Sequence, residues 1–237
     1  MKVVKFGGTS LSCVENILRA RDIVLADAER RFVVVSAPGK RFAGDTKVTD
    51  ILIERFGALS RGLGLDLYDY MVSRGEDMMA VLFARLLGFR YLDAAKYIVI
   101  NADGTPNLGA TKRKFRGVDK NGRYVIGGFF GTTAGGPRPP DPLLGGFYGT
   151  FGGLVKTFDR GGSDTTGAVV AYAMGADLYE IFTDTYGVYD EDGRTISCMS
   201  FEEFGNMGLR KVLNDTNIRI DNTFDPGKSY TIICKNC

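Results

Sequence analysis

Met1-Lys2-Val3-Val4-Lys5-Phe6-Gly7-Gly8-Thr9-Ser10 opens the chain as an apolar run, broken by a glycine pair and two hydroxyl residues. The run reads as a short buried strand over residues 1–6, and the residues after the hydroxyl pair read as a helix. Ser12 and Glu15 have the spacing of a capping box, and Val14, Ile17, Leu18 and Leu25 recur at helical intervals. A glycine turn between strand and helix lets backbone amides approach an anion, and the helix start adds positive partial charge. Lys5, read as a flexible lysine at the strand end, adds a full charge at the same spot. This chemistry suits a polyphosphate. The stretch alone fits a plain tight turn with a surface lysine equally well.

Two later motifs favour the phosphate reading. Arg160-Gly161-Gly162-Ser163-Asp164-Thr165-Thr166 precedes a small-residue helix over 167–174, with Gly175 suited to its end. Ser163 or Asp164 can cap that helix, and Arg160 offers a forked donor for a carboxylate or phosphate. A strand over 178–182 then leads into Thr183-Asp184-Thr185-Tyr186-Gly187-Val188-Tyr189, with Asp192-Gly193-Arg194 shortly after. Polar residues at the carboxyl end of a strand are where open α/β sheets bind ligands.

In this order the three motifs resemble aspartate kinases of the amino acid kinase family. Val35-Ser36-Ala37-Pro38-Gly39-Lys40-Arg41, Asp45-Thr46-Lys47-Val48-Thr49-Asp50, Ser73-Arg74-Gly75-Glu76 and Asn222-Thr223-Phe224-Asp225-Pro226 extend the likeness along almost the whole chain. The resemblance implies one kinase domain over 1–237. An amino-acid-binding half covers about 1–125 and a nucleotide-binding half about 126–237. It implies transfer of the γ-phosphate of ATP, with Mg2+, to the side-chain carboxylate of L-aspartate in amino-acid biosynthesis, including that of lysine.

Composition agrees with a folded enzyme domain. The chain has 237 residues, 44% hydrophobic and 24% charged, which excludes a disordered chain. No apolar run is long enough to span a bilayer, and Gly7-Gly8 interrupts the first one as no secretory signal would. A cytoplasmic enzyme is expected, with no membrane or nucleic-acid partner and a homodimer as a candidate assembly. The formal net charge of +2 is too small to suggest nucleic acid. Lys112, Arg113, Lys114 and Arg116 form a basic cluster that could contact an acidic partner, and reads more readily as a solvated loop or strand edge. There are no histidines, which removes imidazole bases and most zinc sites. Phosphoryl transfer to a carboxylate loses little by this, since the nucleophile is already ionised. Cys234 and Cys237 form a lone Cys-x-x-Cys, read as free thiols.

The element pattern predicts a three-layer αβα sandwich with a mostly parallel sheet. Strands are expected over 31–35, 97–100, 124–126, 178–182 and 230–234, and helices over 48–56 and 78–87, the latter ended by Gly88. Gly127-Gly128-Phe129-Phe130-Gly131-Thr132 recurs as Gly145-Gly146-Phe147-Tyr148-Gly149-Thr150, across a proline-rich stretch that reads as a loop. The family carries one such segment, whose aromatic lines the substrate pocket. Spacing to Arg160 favours Phe147, whereas the first copy continues a strand directly.

The resemblance also implies a role for each motif residue. Lys5 and Asp164 are catalytic, Asp164 orienting Lys5 or the metal-bound phosphates. Gly7, Gly8, Thr9, Ser10, Gly161 and Gly162 bind phosphate. Ser36, Thr46, Glu76, Phe147, Arg160 and Ser163 bind aspartate, Glu76 taking its ammonium and Arg160 a carboxylate. Thr183, Asp184, Tyr189, Arg194 and Lys211 contact the nucleotide. Glu76 also reads as an ordinary helix-start carboxylate, Asp164 as a cap and Tyr189 as core. The chain departs from the family in a shortened segment between Thr46 and Glu76, in lacking His-Pro after Leu213, in Gly193 for a proline, and in having no counterpart of the C-terminal regulatory ACT domains. Inhibition by lysine or threonine is therefore not expected. A kinase of the same superfamily with another acceptor, or a nucleotide-binding domain without turnover, are the alternatives.

Overall fold

Residues 3–6 are buried on both faces, which a strand tolerates only in the middle of a covered sheet. The computed structural model of the chain describes residues 1–65, 67–133, 155–158 and 162–182 with their side chains, and the backbone of 183, 188–189, 195–196, 198–199, 219–221 and 229–234. Through these residues the chain runs β1 (Lys2–Phe6), α1 (Val14–Leu25), β2 (Arg30–Val35), α2 (Val48–Leu52), α3 (Ala58–Gly62), α4 (Tyr68–Val72), α5 (Arg74–Leu87), β3 (Arg90–Leu92), α6 (Ala94–Tyr97), β4 (Val99–Ile100), α7 (Leu108–Lys114) and β5 (Tyr124–Gly127). It continues with β6 (Phe130–Thr133), β7 (Val155–Thr157), α8 (Gly162–Met174), β8 (Leu178–Thr183), β9 (Val188–Tyr189), β10 (Thr195–Ile196), β11 (Cys198–Met199), β12 (Arg219–Asp221) and β13 (Ser229–Cys234).

The main sheet has the order β11-β12-β13-β8-β1-β2-β5-β3. Its central part, β8-β1-β2-β5-β3, is parallel throughout. β13, β12 and β11 extend it antiparallel. A second sheet joins β4, β6 and β7. The strict period of two sorts the central strands into two cores. Val4, Phe6, Val33, Val35 and Val125 pack against α1 and α5 on one face. Val3, Phe32, Val34, Tyr124 and Ile126 pack against α8 and the Ala94–Phe115 region on the other. Each such side chain contributes roughly 1.5–3 kcal/mol on burial, so a one-residue slip in register would forfeit the whole set.

The predicted layers and the mostly parallel sheet are present, and several local expectations change. Val14, Leu18 and Leu25 of α1 are exposed, while Ala20 and Val24 are buried, because the helix is rotated to lie over β1 and β2. No capping box forms. Thr9–Leu11 makes a 3-10 turn, Cys13 is the N-cap, and the Ser12 hydroxyl donates to the Thr9 carbonyl at 2.9 Å instead. Residues 94–97 are helical and only Val99–Ile100 is strand. The helix from Val48 passes into a π turn over Ile53–Gly57. α5 starts at Arg74, four residues before its expected start, and ends at Gly88, which adopts φ 68°. Lys112, Arg113 and Lys114 belong to helix α7, not to a loop or strand edge. Among the described residues no helix is long and apolar enough to cross a membrane.

Candidate active site

The site lies at the carboxyl ends of β1, β2, β5 and β8, neighbouring parallel strands of the main sheet. In β1, alternation directs Val4 and Phe6 to one core and Val3 and Lys5 to the other. Lys5 therefore rises beneath the first turn of α8 and is 6% exposed, not a flexible surface lysine. Its Nζ stands 2.7 Å from Asp164 Oδ1. The approach is off the hydrogen-bonding direction, so the contact is ionic and the oxygen lacks a formal hydrogen bond. A buried ammonium requires such a partner, and losing either member would leave an uncompensated charge.

The turn after β1 is pressed against the turn after β2. Gly7 donates to the Phe182 carbonyl at 3.1 Å, prolonging the β1–β8 ladder, so its amide is already engaged. The amides of Gly8, Thr9 and Ser10 start the 3-10 turn, where no intrahelical acceptor exists, and they are the ones an anion can use. Gly39 donates to the Gly8 carbonyl at 2.7 Å. A Cβ on Gly39 would come within 2.6 Å of the Gly8 carbonyl carbon, and one on Gly8 within 2.8 Å of the Ala37 carbonyl oxygen. These glycines are needed for close approach; Gly8 itself has ordinary helical dihedrals. On the other side, Ser36 Oγ donates to Ser163 Oγ at 2.9 Å, tying the β2 turn to α8.

Glu76 sits in the first turn of α5 and is 4% exposed. Thr49 Oγ1 donates to its Oε1 at 3.2 Å, and Oε2 has no hydrogen-bond partner among the described residues. Burial pushes the carboxyl up to about 7, against hydrogen bonds from backbone amides and the Thr49 hydroxyl and the charge of Arg74. Gly75 permits this placement: a Cβ there would lie 2.8 Å from the Ala37 Cβ. A buried, half-partnered carboxylate of this kind suits a ligand ammonium.

α8 is seated by the corner between β5 and β6. Phe129 is the single non-glycine residue with positive φ (78°) among the described residues. Its amide donates to Thr166 Oγ1 at 3.1 Å and its carbonyl accepts from the Phe158 amide at 2.7 Å. Such a conformation costs on the order of 1–3 kcal/mol and persists only where its surroundings fix it. Gly162 lies against Phe129 and Phe158, and Gly128 against Ser163.

A cation paired with a carboxylate, turn amides, two bonded serines and a buried carboxylate thus gather at one end of the sheet. The sequence matches the amino acid kinase family over residues 1–223. The chain belongs to the amino acid kinase family. Aspartokinase 3 of Bacillus subtilis is 36% identical over 86% of this chain, and lysine-sensitive aspartokinase 3 of Escherichia coli is 28% identical over 98% of it. The chain spans 54% and 64% of the lengths of those two proteins. Clostridium acetobutylicum aspartate kinase superposes with a TM-score of 0.67 at 28% identity, covering 87% of this chain and 54% of its own. E. coli aspartokinase III in complex with aspartate and ADP also gives 0.67, at 25% identity, over 90% and 57% of the two chains.

In this amino acid kinase domain the structure brings together Lys5, Gly7, Gly8, Thr9, Ser10, Ser36, Glu76, Gly162, Ser163 and Asp164. Ser163 and Asp164 lie inside the first turn of α8, which begins at Gly162, and so are not at a cap position. Thr46 is exposed, and Thr49 is the threonine on Glu76. Both threonines belong to the same Asp45–Asp50 motif, and only placement in the first turn of α2 distinguishes Thr49 in the sequence. Phe129 of the first glycine-aromatic copy is a further residue at the site that the spacing to Arg160 does not select, although its continuity with β5 points to it. Phe147, Arg160, Gly161, Asp184, Arg194 and Lys211 lie outside the described residues, as do the side chains of Thr183 and Tyr189.

Proposed function

We propose that this chain transfers the γ-phosphoryl group of ATP to the side-chain carboxylate of L-aspartate. The observation that carries the proposal is the 2.7 Å Lys5–Asp164 contact, which joins the first and second glycine motifs at the carboxyl end of the sheet. Support for the acceptor comes from Glu76, and from aspartokinase III of E. coli, solved with aspartate and ADP. The amino-acid half is assigned to about 1–125 and the nucleotide half to about 126–237. A cytoplasmic location and a place in amino-acid biosynthesis go with this reading.

An aspartate carboxylate oxygen attacks the γ-phosphorus as the bond from that phosphorus to the β,γ-bridging oxygen breaks. ADP leaves and aspartyl phosphate forms. The attacking group is ionised near neutral pH, so no base is required. Lys5 and the amides of Gly8, Thr9 and Ser10 offset the charge on the phosphoryl oxygens, the largest contribution available in such transfers. Asp164 keeps Lys5 in place. Glu76 Oε2 takes the aspartate ammonium, with Ser36 and Ser163 at the rim. Arg160 is assigned a substrate carboxylate, and Thr183, Asp184, Tyr189, Arg194 and Lys211 the nucleotide. Phe129 joins Phe147 as a candidate for the pocket aromatic.

Magnesium fits this donor set. Asp164 is 31% exposed at its side chain and gives Oδ1 to Lys5, which leaves Oδ2 as a hard oxygen ligand. Bound there with phosphate oxygens, the ion would neutralise charge on the transferring group.

The test is ADP formation from Mg-ATP with and without L-aspartate, with hydroxylamine present to trap the acyl phosphate as a hydroxamate. Aspartate-dependent ADP and hydroxamate are expected together. ATP binding without aspartate-dependent ADP would overturn the proposal.

A further inference from the structure

We propose that Tyr179 is a positioning residue for phosphoryl transfer, setting through Asp164 the seat of the first turn of α8 and with it the Lys5–Asp164 contact. The inference rests on the assignment of Lys5 and Asp164 to the phosphate site. Tyr179 lies on β8, adjacent to β1, in the register Val3↔Tyr179 and Lys5↔Ile181. Laterally paired residues of parallel strands point to the same face, so Tyr179 and Lys5 rise toward α8 from neighbouring strands. They stand about 7 Å apart along the strand direction. Lys5 meets the carboxylate of Asp164 at 2.7 Å, and Tyr179 meets its backbone: the phenol donates to the Asp164 carbonyl at 3.0 Å. One residue of α8 is thus held from below by two strands, by its side chain on one and its main chain on the other.

Two sequence choices at this contact are unfavourable unless they serve it. Tyr179 is 1% exposed, in a core that apart from Tyr124 is built of aliphatic, methionine and phenylalanine side chains. A buried hydroxyl costs stability unless it is bonded, and an aliphatic side chain would fill that position without the polar atom. Gly167, one turn beyond Asp164, lies inside a 13-residue helix, where glycine is worse than alanine. A Cβ at Gly167 would stand 2.1 Å from the Tyr179 hydroxyl oxygen and 2.4 Å from Cζ. The ring can reach Asp164 only over a residue with no side chain. Burial and the nearby Asp164 charge both hold the phenol well above its ordinary range, so it remains protonated and donates. The carbonyl it binds is also the one that accepts the Ala168 amide in a regular helix. The bond is therefore additional to the helix ladder, and it fixes the helix to the sheet.

The experiment uses the whole chain with Mg-ATP and aspartate. Tyr179→Phe keeps the ring and removes the donor; kcat should fall about fivefold, the factor set by one neutral hydrogen bond, with both KM values within about twofold. Placed on Asp164→Asn, the same change should alter kcat by less than about twofold, because its route of action is gone. Amide exchange at residues 165–168 should quicken about tenfold in Tyr179→Phe with α5 unchanged, a readout that needs no turnover. Gly167→Ala, which displaces the ring, should reproduce the kcat loss. Wild-type kcat in Tyr179→Phe, unchanged exchange in α8, or an equal loss in both backgrounds would overturn the inference. If Asp164→Asn itself kept wild-type turnover, the phosphate-site assignment would fail instead.

Discussion

We predict that replacing Glu76 by glutamine removes a loss of stability that the free wild-type protein suffers as pH rises, and makes the enzyme worse. Burial raises this carboxyl from an ordinary 4.5 to about 7. Between those values the folded state holds a proton that the unfolded state has released. Stability therefore falls as pH rises through that window. A shift of this size corresponds to roughly 3 kcal/mol between pH 4 and pH 8, at about 1.4 kcal/mol per unit. With 4% exposure there is little solvent screening to discount. Glutamine does not titrate, so Glu76→Gln escapes this loss. Its stability relative to wild type should thus climb by roughly 3 kcal/mol over the same range, or roughly 6–12 °C in Tm for a domain of this size. Whatever glutamine itself costs at the site is the same at every pH and cancels from the climb. The assay is thermal unfolding of both proteins, without ligands, at one-unit pH intervals. A Tm difference that stays flat or shrinks as pH rises would show that Glu76 does not carry a raised pKa in the folded protein. In turnover the same mutant should raise the aspartate KM about 10- to 100-fold, the value of a charged hydrogen bond, with the ATP KM unchanged. In wild type the aspartate KM should rise as pH falls below 7, because an ammonium binds the ionised carboxylate.

Lys5→Ala should lower kcat by about a hundredfold or more and, because it leaves the part-exposed Asp164 without its partner, should also cost roughly 1–3 kcal/mol of stability; near-normal turnover would mean the phosphate site is misplaced. Thr49→Val should move the pH dependence of aspartate KM upward by removing the donor to Glu76 Oε1, whereas Thr46→Ala at an exposed position should change it little; the opposite ranking, read from KM against pH, would restore Thr46 to the pocket. Gly39→Ala should force the β1 and β2 turns apart, since its Cβ would fall within 2.8 Å of three backbone atoms of Gly8 and Thr9, and both KM values should rise together; a change in one alone, in steady-state kinetics, would show that the two turns are not coupled.

Apolar strand, glycine turn and helix is a local pattern, and it is legible because sterics and hydrogen bonding act over a few residues. The same holds for the parallel βα repeats, for Gly88 and Gly175 at helix ends, and for the motifs that mark the family. Helix faces are less legible. Val14, Leu18 and Leu25 have the spacing of a buried stripe, yet the sheet beneath α1 takes Ala20 and Val24, since helix rotation is set by the packing partner. The capping box fails for a related reason: the 3-10 turn at Thr9–Leu11 claims Ser12 first.

Sheet type, the order of motifs and the chemical kind of each candidate site residue follow from the residues alone. Tertiary structure alone decided which of them meet. It buried Lys5 against Asp164, joined Ser36 to Ser163, and chose Thr49 over Thr46 as the partner of Glu76. It also set Tyr179 under a glycine of α8. These contacts link residues far apart in the chain, through strand order and register that periodicity does not encode. Their energies, too, depend on exclusion of water, which exists only once the layers have closed.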